Sequence, residues 1–569
     1  MIMIGHVFTT PAVTTSGLTS GYLDIPGSST SYLVHQSYLL RGVTGSNTFA
    51  ETLSASQNHV AILIALVITE WSSIAESGKP FVTVSPGGIE NGLATIPNNG
   101  ADFGPDSTVG GVMTSTSGIQ EALNYGYVND AAVVLLEGTF NITSPIMLES
   151  YATLTGQGRQ SVIQALAGFS SSGSLLYFDT TKGANIDNIT IAHLAIIGNN
   201  GASSTGITAT AGTGYVVDFL LLDDILIVGV NTGLNLTAVR GSSIRSIVIT
   251  NQENTPFYGI YLQDCVNVSI SGCYILACTK GLWFDRSSTT VQNQGIITSG
   301  CWILTCVTDL TIQDGLALKF SDCIFDTATY QDGIGIISGG TDIVFHGCWF
   351  ASNNSATTQF FAISPADPAA FFTLQQIEFL ACYFVNMQAG VNIYYDSASL
   401  RRPQFIVFDA CSFNTNTAPG NYDVVINNAD HVYFTDCNWP DSTGSGNLIE
   451  LHGSGGAPPS DIVVKGGYMA KGYSGLSLLA GTILLFKVAN VNPVPGYSVT
   501  AGASIYTFPL LPFDAVYVMT TVGGISALTL DGQGLGSSFF PGLQVFVGAN
   551  HTLTAKWATT APVFSILPL

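Results

Sequence analysis

Along the middle of this chain one phrase of apolar and polar positions returns seven times. Two apolar residues at alternate positions are followed by two small or polar residues, a cysteine, any residue, and another apolar residue. Val268-Ser-Ile-Ser-Gly-Cys273-Tyr-Ile is the first copy, and the later ones centre on Cys301, Cys323, Cys348, Cys382, Cys411 and Cys437, at intervals of 28, 22, 25, 34, 29 and 26 residues. A period of two belongs to strands, whose successive side chains point to opposite faces. A unit this short cannot bury its apolar face alone, so the copies must stack on one another as a solenoid. The two residues before each cysteine break the alternation and predict a bend. Gly272, Gly300 and Gly347 suit a positive φ there, and Asp322 and Asp436 tolerate it. A third strand is read from an apolar residue 11 positions past the marker cysteine, at Phe284, Ile312, Ile334 and Ile393, and at Leu262 with Asn251 as its marker. Three short parallel strands per coil predict an all-β fold, a right-handed parallel β-helix, which is the hand that parallel crossovers take.

The pattern changes on both sides of this body. Residues 1–98 hold a Thr/Ser-rich lead and a predicted helix over about residues 50–77, apolar all round at 60–68. Such a helix is buried, either by neighbouring subunits or in a small domain of its own. Residues 482–569 alternate in strand fashion at 483–486, 504–508, 515–519, 526–530, 543–547 and 552–557 between Gly and Pro breaks, which predicts a C-terminal β-sandwich. The expected division is a small N-terminal helix-containing head for attachment and oligomerisation (1–98), the β-helix (99–481) and the sandwich (482–569).

Gly100-Ala-Asp-Phe-Gly-Pro-Asp-Ser, the amphipathic segment Ser117-Gly-Ile-Gln-Glu-Ala-Leu-Asn-Tyr, the strand from Ala132 to Thr143 and Tyr151-Ala-Thr-Leu-Thr-Gly-Gln-Gly-Arg together resemble the opening of pectate-lyase-like β-helix proteins. With the repeats, the resemblance covers roughly residues 100–480. It implies that the short helix caps the first coil and covers the apolar end of the solenoid. The three-part plan resembles that of viral tailspikes. Polysaccharide lyases, glycosidases and tailspikes share this scaffold, so the resemblance does not fix the chemistry.

Composition narrows the setting. Charged residues make up 9% of the chain, against about 25% in ordinary domains, and 15 Lys+Arg face 37 Asp+Glu. Solubility then rests on Ser, Thr, Asn, Gln and Gly. An acidic or hot environment, where salt bridges contribute little, is one setting for such a surface; a β-helix with a polar uncharged coat is the other. Basic patches for nucleic acid are lacking. The longest apolar run, 60–68, is nine residues where a membrane span needs about 20. The first residues carry no basic n-region or cleavage site of an export signal. A virion protein, assembled inside a cell and working outside it, reconciles an extracellular composition with that start. Sequons at Asn141, Asn188, Asn235, Asn267, Asn353 and Asn550 permit glycosylation.

Of the ten cysteines, seven share one inward position, and Cys278 and Cys306 share another in adjacent coils. Side chains stacked in register point the same way and not toward one another, which disfavours disulfides. No CxxC pair or Cys/His cluster has zinc-like spacing, so neither a metal nor a cofactor is expected. The reading is a ladder of free, buried, small apolar thiols.

Outward positions on the third strand line up as Asn235, Tyr261, Trp283 and Thr311, then Thr237, Gln263, Asp285 and Gln313, then Asp264, Arg286 and Asp314. Aromatic faces beside amides and charges on a rigid wall suit a sugar, which makes Tyr261, Trp283, Gln263, Arg286 and Gln313 candidate glycan-binding residues. Asp264, Asp285 and Asp314 are the candidate catalytic set. Two rungs separate the outer pair by roughly 9.6 Å, near the upper limit for an inverting carboxylate pair, while Arg286 favours a base over a general acid. A surface Asp-Arg-Asp ladder that balances charge is the competing reading. Tyr274, Trp302, Ile324, Trp349 and Tyr383, each following a marker cysteine, form a second outward stripe that reads as an oligomer interface. The expected function is that of a virion tailspike-like structural protein binding host cell-surface polysaccharide or glycoprotein, docked to other virion proteins through its head and assembled as a homotrimer. An extracellular polysaccharide hydrolase or lyase is the alternative, and a purely structural surface or sheath protein is the third.

Overall fold

The computed structural model describes residues 80–87, 101–107 and, with short gaps, 114–439, together with strand segments between 2 and 62 and between 449 and 568. The chain forms two compact units, residues 1–81 and 82–569. In the first, Thr19–Leu23, Tyr32–Leu39, Ile2–Phe8 and Val60–Ile62 form an antiparallel sheet in that order. Val60–Ile62 therefore pairs as a strand with Ile2–Phe8, where the all-round apolar run predicts helix. The remainder of the predicted 50–77 helix lies outside the described residues.

In the second unit the seven-fold phrase is a parallel β-helix with three strands per coil. Two of its faces join at the bend into a 27-stranded sheet, and the third is a 12-stranded sheet. One coil runs Ser269–Ser271, Tyr274–Leu276 and Lys280–Asp285, and each strand pairs in parallel with its counterpart one coil on. Left-handed backbone sets the corners. The residue before the marker has positive φ in all seven copies, at Gly272, Gly300, Asp322, Gly347, Ala381, Ala410 and Asp436. The residue six before the marker, from Asn267 through Gly295, Ala317, Asp342, Gln376 and Phe405 to His431, does the same. An alanine in this region costs roughly 1–2 kcal/mol. Coil-to-coil bonds hold it: the Ala381 N–H donates to the Asp409 carbonyl at 2.8 Å, and that of Ala410 to Thr435 at 2.9 Å.

The interior is a set of ladders. Phe320, Phe345, Phe379, Phe408 and Phe434 stack face to face at 4.7–4.9 Å, one per coil. Phe325, Phe350, Phe384, Phe413 and Trp439 form a parallel stack at 4.9–5.3 Å. All ten cysteines are free and buried. Marker thiols donate to the carbonyl two residues back, as from Cys301 to Ser299 at 3.4 Å. Burial pushes the Cys265 thiol up to about 12.

Three details of the sequence reading change. Register pairs Ile247, not Asn251, with Cys273, because Val248 lies opposite Tyr274; Asn251 falls in a segment outside the described residues. In the coil after Cys323, Ile337 and not Ile334 lies opposite Ile312, since the loop before that strand is longer. Leu484–Lys487, grouped by alternation with the terminal module, pairs in parallel with Ser460–Lys465 and extends the solenoid by one more strand. Beyond it, strands from Tyr497 to Pro568 form two four-stranded antiparallel sheets.

Helix α1 (Ile119–Asn129) stands where the amphipathic segment predicts it and buries Ile119, Ala122, Leu123 and Gly126. Gln120 ties it to the first coil, accepting from the Met147 N–H at 2.7 Å and donating to the Met147 carbonyl at 3.1 Å.

Candidate functional site

The third face carries the wall anticipated from the sequence. Its strands Thr232–Thr237, Tyr258–Gln263, Lys280–Asp285 and Thr308–Ile312 are in register, with Asn235, Tyr261, Trp283 and Thr311 on successive rungs and Thr237, Gln263 and Asp285 beside them. The Gln313 N–H donates to the Phe284 carbonyl at 2.9 Å, which continues this second column. Period-two alternation puts the apolar partners Leu262, Phe284 and Ile312 into the core and turns these side chains to the opposite face, where Thr311 is itself covered.

Side-chain packing turns the wall into a compact cluster. Tyr258 and Tyr261 lie against Trp283 with ring centroids 5.1 and 4.8 Å away. The Lys280 ammonium sits 3.4 Å over the indole ring. Burial lowers the Lys280 pKa, and nearby Asp285 opposes that shift. Tyr261 donates its hydroxyl to Asp285 Oδ2 at 2.7 Å, and burial followed by this bond raises the phenol well above its ordinary value. The sequence picks out the aromatic column and Asp285. It misses Lys280 and Tyr258, because they stand three residues before Trp283 and Tyr261, at the strand starts, and reach the cluster through their length. Trp283 Nε1, Asn235 Oδ1 and Thr311 Oγ1 are buried with no hydrogen-bond partner among the described residues.

The three candidate carboxylates have different surroundings. Asp285 faces Tyr261. Asp314 is 1% exposed, with Arg286 Nη1 3.8 Å from its Oδ2. Asp264 occupies a left-handed corner at φ 56° and acts electrostatically on Tyr261 and Cys265. Among the described residues no group of three or more His, Cys, Asp or Glu is placed to hold a metal ion.

The second stripe is in register from Tyr274 through Trp302, Ile324 and Trp349 to Tyr383. Trp302, Trp349 and Tyr383 are 48, 38 and 49% exposed. No helix among the described residues is long and apolar enough to cross a membrane.

No protein-family model matches the sequence, and no curated protein matches it. The chain is similar to several solved structures. The tailspike protein gp49 from Pseudomonas phage LKA1 is 12% identical with a TM-score of 0.44, over 80% of this chain and 93% of that one. The family 28 exopolygalacturonase of Yersinia enterocolitica is 11% identical with a TM-score of 0.45, over 67% and 79%. PfbA, a surface adhesin of Streptococcus pneumoniae, is 12% identical with a TM-score of 0.36, over 60% and 89%. The strand pairing itself makes the fold a parallel β-helix.

Proposed function

We propose that this protein binds host cell-surface glycans through the Trp283 wall, as the attachment spike of a virion. The observation that carries the reading is the cluster of Tyr258, Tyr261 and Trp283, flanked by Lys280, Asp285, Gln263 and Gln313 on a rigid sheet. Ring faces accept the apolar face of a sugar while fixed amides and charges take its hydroxyls. The long Lys280 stem swings off the indole to admit the sugar, giving up a cation–π contact of about 0.5–2 kcal/mol. The stripe from Tyr274 to Tyr383 is the contact with further copies of the chain, and a trimer multiplies shallow single-site affinity. Binding without cleavage is preferred because a general acid must face its substrate, whereas Asp314 is buried beside Arg286 and Asp285 is engaged by Tyr261.

Incubating the protein with host-envelope polysaccharide tests this, with retention and fragment release both measured. The expected result is retention without fragments, weakened about tenfold or more by Trp283→Ala. Undiminished retention by that variant refutes the wall. Fragments that disappear with Asp285→Asn or Asp264→Asn make the protein a depolymerase instead.

A further inference from the structure

The Trp283 cluster already holds a cation. The Lys280 ammonium sits 3.4 Å from the centroid of the indole ring. Tyr258 is the register partner of Lys280, and Tyr261 that of Trp283. Both tyrosine rings lie against the indole, tilted to it by 53° and 74°. One carboxylate stands beside them: Asp285 accepts the Tyr261 hydroxyl at 2.7 Å and acts electrostatically on Lys280. Three electron-rich rings set at angles to one another, with a carboxylate next to them, are the parts of a cage for an ammonium group. The pairing of two adjacent strands fixes their positions, so the cage is in place before a ligand arrives.

Its occupant matches it poorly. A primary ammonium is compact and strongly hydrated, yet this one is half-buried, and burial lowers its pKa against the pull of Asp285. The lysine stands at the start of its strand, and its flexible stem can return the charge to water without moving the backbone. That swing gives up the contact to the indole and regains hydration. The rings and Asp285 then lose the cation they held, in a chain whose 37 Asp+Glu outnumber its 15 Lys+Arg. A neutral sugar placed there gains stacking alone. A second ammonium gains the ring quadrupole and the carboxylate as well. A primary amine on a ligand offers only what the tethered lysine already offers, whereas a quaternary ammonium gives the rings a charge that is weakly hydrated.

We propose that this cage takes a quaternary ammonium of the choline type carried on the glycan, and that Lys280 is the tethered competitor it displaces. The proposal rests on the wall being the glycan-binding face and adds the group that it selects. Competition from Lys280 holds the affinity of the native chain below that of the open cage, in proportion to the time the stem spends off the ring.

The full-length protein is titrated calorimetrically at matched ionic strength and mildly acidic pH, where an amino sugar is charged. The probes are tetramethylammonium, phosphocholine, and tetramers of glucosamine and N-acetylglucosamine. Tetramethylammonium and phosphocholine bind, Lys280→Ala tightens both by roughly two- to thirtyfold, and adding Trp283→Ala to that variant abolishes the gain. The double variant separates release of the ring from the mere removal of a positive charge, and circular dichroism checks that both variants keep the fold. The cage is overturned if tetramethylammonium does not bind Lys280→Ala, if the gain survives the loss of Trp283, or if the glucosamine tetramer binds more tightly than phosphocholine. Neither small cation carries a sugar, so the cage and the wall fail separately. Binding of both cations without retention of any polysaccharide ends the glycan reading and leaves the cage. Trp283-dependent binding of the N-acetylglucosamine tetramer, with no response to either cation, leaves the wall and ends the cage.

Discussion

Asp309 is a buried acid in a core of rings and thiols. It occupies the rung where the four preceding coils place Gly206, Gly233, Gly259 and Gly281. Its side chain is wholly buried, Oδ1 accepts from the Cys306 N–H at 3.3 Å, and Oδ2 has no hydrogen-bond partner among the described residues. Burial, and then the Cys306 thiol, push the carboxyl well above its ordinary value of 3.8. The native protein thus binds a proton that the unfolded chain releases. A raised native pKa gives stability that is fully present below the unfolded value and is lost as pH rises through the native one. The loss is about 1.4 kcal/mol for each pH unit over which the folded acid stays protonated. Asp326, raised by burial as well, adds to the trend in the same direction. Asp309→Asn keeps the shape and removes the titration, so its stability relative to wild type should climb with that slope from about pH 4 upward. Denaturant unfolding of both proteins from acidic to neutral pH measures the difference, from which the other carboxylates cancel. An infrared carboxylic-acid band that persists above the ordinary carboxylate range and is absent from the variant is the direct signature. A wild-type-minus-variant difference that does not change with pH would refute the argument, because Asp309 would then carry the same charge folded and unfolded.

Two further outcomes follow from packing. A Cβ on Gly281 would lie 2.3 Å from Ile303 Cγ2 and 2.7 Å from the Asp309 carbonyl oxygen, so Gly281→Ala should destabilise the solenoid by about 1–3 kcal/mol in denaturant unfolding, and an unchanged midpoint would show that the coil relaxes freely. The double substitution Trp302→Lys with Trp349→Lys should reduce the mass measured by light scattering to that of one chain without changing the circular dichroism; retention of a larger mass would remove the stripe as the subunit contact.

Much of the molecule was already legible in the chain. The alternation around each marker cysteine set which residues face inward, because a strand reverses its side chain at every step. The marker spacing set the stacking, because a coil has no other way to bury its apolar face. The left-handed bend could be read at Gly272 and Asp322, whose side chains allow it. At Ala381 and Ala410 it could not, because there the conformation is imposed by hydrogen bonds from adjacent coils and not by the residue itself. Loop length defeated the count in two coils: Ile247 and Ile337 take the positions assigned to Asn251 and Ile334 because only inter-strand pairing fixes register where an insertion intervenes. At the wall, the Tyr261–Trp283 column follows from periodicity, but the placing of Lys280 over the indole and Arg286 beside a buried Asp314 depends on where long side chains find room. The sequence by itself determined the period, the inward faces and the capping helix, all of them local or repeated patterns. The tertiary structure alone decided which acids are buried and which side chains gather on the Trp283 ring, because these depend on contacts between coils far apart in the chain.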